Sequence, residues 1–117
     1  MNHIKFLKFL ISDFEVSNSK YPTVRFFRSE VLLIYLWFVI LEKHYLNEDT
    51  SMEDYYKILP DDLNISKPTF LKFLDNAVEK KYIIKVAYPN DKRKFLLKPS
   101  DLVIREFEVW SKGFSGF

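Results

Sequence analysis

The chain has 117 residues, 48% of them hydrophobic and 18% aromatic, with two glycines, no cysteine and a formal net charge of +2. That length suits one domain, the apolar content excludes a disordered chain, and the lack of thiols excludes a disulfide framework and every thiolate metal site. A reducing, cytoplasmic setting fits this composition.

An amphipathic helix is predicted over residues 4–15, where Ile4, Phe6, Leu7, Leu10, Ile11 and Phe14 keep close to a 3.6-residue period. The same stretch lacks a small-residue cleavage site and reaches Asp13 and Glu15 early, which argues against a signal peptide. Residues 17–22, polar and ending in Pro22, read as a short connection. A long helix follows from Thr23 or Ser29 to Tyr45, with Glu30 early and Lys43 and His44 near its end, as the helix dipole favours. Its centre, residues 31–41, is apolar on every side. Eleven apolar residues fall well short of the ~20 a membrane-spanning helix needs, so protein must cover them. The cover is either the chain's own core or a second subunit, with Phe26, Phe27, Tyr35, Trp37 and Phe38 supplying contact area.

Thr50 or Ser51 can cap the next helix, which uses Met52, Tyr55, Tyr56, Ile58 and Leu59 as its apolar face and stops at Pro60. Residues 61–65 form a turn, and Ser66 then caps a second helix over residues 67–80 with Pro68 in its first turn. Two short helices joined by a tight turn form a helix-turn-helix. In the second of them Phe70, Phe73, Leu74, Ala77 and Val78 share one side, while Thr69, Lys72, Asn76 and Glu79 share the other. Residues 82–88 and 93–98 are strand-like around a turn at residues 89–92, giving a hairpin with a charged tip. A last helix starts at Ser100 or Asp101, uses Leu102, Val103, Phe107 and Trp110, and ends before Gly113. The expected fold class is mainly α with a small β-hairpin. The whole chain is read as one domain: residues 1–48 for core and dimerisation, 50–98 for the helix-turn-helix and hairpin, and 100–113 for the closing helix.

Charge is distributed unevenly. Residues 66–98 hold nine basic side chains against three acidic ones, a net +6 that leaves −4 for the rest of the chain. A phosphate-facing surface would produce this asymmetry, and so would a solvated basic face without a ligand. Enzymatic chemistry is poorly supported. His3 and His44 lie far apart with no cysteine to complete a metal or nucleophile set, so no metal and no cofactor is expected. Gly113 and Gly116 cannot form a phosphate-cradling loop, and Asp61 and Asp62 suit an acidic turn better than paired acid-base work.

The order of elements, the segment from Leu63 to Lys85 and the wing sequence DKRKFLLKPS together resemble the MarR-type winged helix-turn-helix family over about residues 29–110. The family's polar cap and threonine match Ser66 and Thr69, its spaced apolar positions match Phe70, Phe73, Leu74 and Ala77, and its wing aspartate with two basic residues matches Asp91, Lys92 and Arg93. Two features depart from the pattern. Lys81 stands where the family has glycine ahead of the first wing strand, and only seven residues follow Trp110 where the family has further helix for its dimer.

The resemblance implies a transcription regulator that binds double-stranded DNA sequence-specifically as a homodimer, with the apolar helix near the dimer interface. In that reading Ser66, Lys67, Thr69, Lys72 and Asn76 present the recognition helix to the major groove, and Lys92, Arg93 and Lys94 follow the adjacent backbone and minor groove. Asp91 would orient Arg93. A pocket for a small-molecule effector could form between the long helix and the DNA-binding part, although no residue type identifies a ligand. The alternative from another class is a winged-helix module for protein-protein docking without DNA.

Overall fold

The computed structural model describes residues 2–116, except for the side chain of Lys92. Helix α1 (His3–Lys20) opens with Asn2, whose side chain accepts from the Lys5 amide. It runs five residues beyond the predicted end. Ser17 is helical because its hydroxyl donates to Asp13 one turn earlier, and both side chains are buried. The connection therefore shrinks to Tyr21, and Pro22 opens α2 (Pro22–Phe27).

Tyr21 offers α2 no side-chain cap. Glu106, from the far end of the chain, supplies one: its Oε1 accepts from the Thr23 amide at 3.0 Å and from the Thr23 hydroxyl at 2.7 Å. Of the two starts the sequence offers for the long helix, Thr23 and Ser29, the chain takes the later, with α2 as a separate short helix before it. Ser29 donates its hydroxyl to the Phe26 carbonyl, Glu30 turns extended at φ −143°, and α3 (Val31–Tyr45) begins there.

Most of α3 is covered by its own chain. Leu32, Leu33, Leu36, Trp37, Ile40 and Leu41 are buried against Val24 and Phe27 of α2 and against Tyr55, Phe70, Leu74, Ala77, Ile83, Leu97 and Val103. Phe27 and Trp37, expected to offer contact area to a second subunit, instead stack on each other at 5.9 Å inside this core. The large hydrophobic residues that α3 leaves exposed are Val31, Phe38 and Tyr45, one stripe at seven-residue spacing.

Ser51 caps α4 (Met52–Lys57) by accepting from the Asp54 amide. After Pro60 a single 3-10 turn (Asp61–Leu63) and left-handed Asn64, φ 49°, swing the chain into Ser66, the cap of α5 (Lys67–Glu79). Phe70, Leu74 and Ala77 anchor α5 in the core; each fully buried side chain of Leu or Phe size contributes roughly 1.5–3 kcal/mol. Helix α5 ends with two closing bonds, Lys81 N–H to the Val78 carbonyl and Tyr82 N–H to the Ala77 carbonyl. Lys81 takes the left-handed position, φ 64°, that the family fills with glycine. Lys81→Gly should accordingly raise stability by roughly 0.5–1 kcal/mol, read as a higher urea midpoint, and an unchanged or lower midpoint would count against strain at this site.

Strands β1 (Ile83–Tyr88) and β2 (Asp91–Pro99) pair antiparallel, from Ile83 opposite Pro99 to Ala87 opposite Phe95. The next pair is Tyr88 with Asp91, so residues 92–94 bulge from the ladder without partners on β1. The turn itself is therefore only Pro89 and Asn90, shorter than expected. On its other side β2 meets the chain entering α4, through a bridge of Leu96 to Ser51 and the Leu97 amide to the Thr50 carbonyl. Ser100 caps α6 (Asp101–Lys112). Trp110 of α6 donates its indole N–H to Asp13, and Arg28 reaches the same carboxylate at 2.8 Å, so one buried acid ties α1 to α2 and α6. Among the described residues no helix is long and apolar enough to cross a membrane.

Candidate nucleic-acid interface

Helix α5 presents its outer side as the sequence implies. Thr69, Lys72, Asn76 and Glu79 are exposed opposite the buried anchors, with Asp75 among them. Ser66 is occupied as a cap, accepting from the Thr69 amide and donating to the Thr69 hydroxyl at 2.9 Å, so both hydroxyls serve the helix start. Lys67 places its ammonium 2.8 and 3.0 Å from the two carboxylate oxygens of Glu53 on α4. Lys72 has no ion-pair partner among the described residues.

The wing cations stand on the bulge. Arg93 is 91% exposed, and Asp91 accepts from its amide at 3.0 Å and from its Nε at 3.4 Å. Asp91 thus orients Arg93, as expected. Lys94 is exposed beside it, and the side chain of Lys92 lies outside the described residues. The hairpin is held against α5 by Lys85 and Asp75, 3.6 Å apart. Lys98 at the wing's base pairs with Asp49 at 3.2 Å.

These pairings divide the basic segment. Lys67, Lys85, Arg93 and Lys98 each face a carboxylate, two of them on residues 49 and 53 outside the segment, whereas Lys72, Lys80, Lys81 and Lys94 face none among the described residues, Lys80 lying instead over the Phe26 ring at 5.9 Å. Sequence reasoning missed Glu53 and Asp49 because no periodicity links residue 53 to 67 or 49 to 98. Exposed pairs of this kind contribute only about 0–1 kcal/mol to the fold.

A cavity of about 130 Å³ lies between the end of α3 and the base of the wing. Ile40, Lys43, His44, Glu48, Tyr55 and Lys98 are among its lining residues. The hydrogen bond that Lys43 donates to the Glu48 carboxylate raises its ammonium above the usual range. Burial pushes the Tyr55 hydroxyl up to about 12, against the opposing pull of its bond with Thr50. Among the described residues no group of three or more His, Cys, Asp or Glu could hold a metal ion.

The whole chain is similar in structure to the heme sensor protein PefR from Streptococcus agalactiae in complex with heme, with a TM-score of 0.52 at 20% identity, covering 99% of this chain and 81% of that one. The crystal structure of PefR in complex with heme and carbon monoxide gives a TM-score of 0.54 at 20% identity, with 99% and 82% covered. The likeness shows the fold. No family model matches the sequence, and neither does any curated protein. Two helices joined by a tight turn, followed by a hairpin packed on the second of them, make that fold a winged helix-turn-helix.

Proposed function

We propose that the chain is a homodimeric transcription regulator of MarR type that binds double-stranded DNA sequence-specifically. The observation that carries this reading is electrostatic. The surplus cations of an otherwise acidic chain lie in residues 80–98, seven basic side chains against Asp91 alone, on the turn after α5 and on the wing, while α5 itself balances Lys67 and Lys72 against Asp75 and Glu79; the family resemblance assigns α5 and the wing to DNA. Lys72 would reach phosphates or guanine edges, Asn76 and Thr69 would hydrogen-bond in the major groove, and Arg93 with Lys92 and Lys94 would follow the neighbouring minor groove and backbone. Ser66 and Lys67 would stand at the helix start, where backbone contacts set register. Titrating the protein with duplex DNA across a series of salt concentrations tests the reading. Log affinity should fall linearly with log salt, and no binding at ~50 mM salt would sink it.

The dimer has its best support in α1. Ile4, Leu7, Ile11 and Phe14 follow 3-4-3 spacing and are 68%, 55%, 65% and 55% exposed, a seam that a second copy of the helix would cover. Ile11→Glu should leave the fold intact and shift the mass in solution from dimer to monomer. A wild-type chain that runs as a monomer at micromolar concentration would defeat the dimer.

Heme is not carried over from PefR. His3 is exposed at the start of α1, and His44 borders a cavity of about 130 Å³ lined by charged groups. A pocket for a drug-sized ligand starts at roughly 300 Å³ and is mostly apolar. The lining suits a small polar effector.

A further inference from the structure

Glu53 is an acid set among the cations of both DNA-facing elements. Its carboxylate receives Lys67, the first residue of α5, through two contacts of 2.8 and 3.0 Å. It also lines a shallow cleft with Ser51, Met52, Arg93, Lys94 and Phe95, which brings it beside the wing bulge. Its place is fixed by α4, whose cap Ser51 is bridged to Leu96 of β2 and whose Tyr55 is buried in the core.

We propose that Glu53 competes with the DNA backbone for Lys67 and thereby holds down sequence-independent binding. This inference rests on the DNA-binding reading above. Binding without base readout is set by the number of phosphates a protein neutralises. A lysine already paired with a carboxylate must either release it or bring a phosphate within a few ångströms of it, and both options reduce the gain. The pair does little for the fold, since Lys67 and Glu53 are each nearly half exposed, at 47% and 44%. A site bound through base contacts recovers the lost affinity; a random site does not.

Glu53→Gln keeps the shape and removes the charge. On a mixed-sequence duplex of about 30 base pairs, roughly three helical turns, it should bind about 5–10-fold tighter than wild type at ~50 mM salt. Its plot of log affinity against log salt should be steeper by about 0.9, because Lys67 is freed for one more phosphate. A purely structural role for Glu53 would not steepen that plot. Glu53→Ala should move both readings the same way, which guards against an amide-specific effect. If wild type binds and both variants bind no tighter, with unchanged slopes, the competitor role is overturned while the DNA-binding reading stands. If neither wild type nor variants bind, both fall together.

Discussion

Replacing Asp13 by alanine should lower the unfolding free energy by about 3–5 kcal/mol, the usual cost of removing one partner from a buried ion pair. Asp13 is 8% exposed and receives Arg28 at 2.8 Å, the Trp110 indole at 3.1 Å and the Ser17 hydroxyl. Arg28 is nearly as buried, packed over the Phe14 ring at 4.6 Å, and its Nε and Nη2 already lack a hydrogen-bond partner among the described residues. Without the carboxylate an unpaired guanidinium would sit in an aromatic setting, a charge that cannot be relieved by deprotonation. For a chain of this size each kcal/mol is worth about 4 °C, so the melting temperature should fall by roughly 12–20 °C. Asp13→Asn keeps acceptors for Trp110 and Ser17 but not the charge, so it should recover only part of the loss. A loss below about 1 kcal/mol for Asp13→Ala would show that α1 is held by its apolar contacts alone. The same variant should weaken the dimer, because α1 carries the exposed seam and Asp13 fixes it to α2 and α6.

That cluster also shows where sequence reading stops. The elements signalled within a few residues were legible: Ser51, Ser66 and Ser100 each accept from the amide three residues on, and the outer side of α5 emerged in the right phase from its spacing alone. The break between α2 and α3 was only half legible: polar Arg28, Ser29 and Glu30 mark it and Ser29 was one of two starts read for the long helix, but α2 ahead of it was not read as a helix of its own. Glu106, 83 positions away in sequence, caps α2, and nothing near Thr23 announces that partner. The continuation of α1 through Ser17 had the same cause, since a serine facing a buried aspartate reads locally as a turn residue. Around the interface the cations were found from composition, whereas their carboxylate partners were not. The bulge at residues 92–94 escaped because alternation predicts a strand without predicting where its register slips.

Lys72→Ala and Arg93→Ala should each weaken duplex binding roughly tenfold at ~50 mM salt and flatten the dependence of log affinity on log salt by about 0.9, one phosphate contact apiece. The two residues stand on different elements and share no partner, so the double variant should lose about a hundredfold. Lys72 carries a charge with no carboxylate to satisfy it among the described residues. Among the described residues the Arg93 side chain is held by Asp91 alone, at 3.4 Å, a long contact on an exposed side chain that orients the guanidinium without consuming its other donors. Neither side chain supports the core, so both variants should melt within about 0.5 kcal/mol of wild type, which separates lost contact from lost fold. Lys43→Ala removes the same charge at the end of α3, where the ammonium is engaged by Glu48 beside the cavity. It should leave affinity within about twofold, since exposed charges separated by more than a Debye length, roughly 14 Å at ~50 mM salt, are largely screened. If Lys43→Ala cost as much as Lys72→Ala, binding would follow net charge alone, and neither α5 nor the wing would be a recognition element.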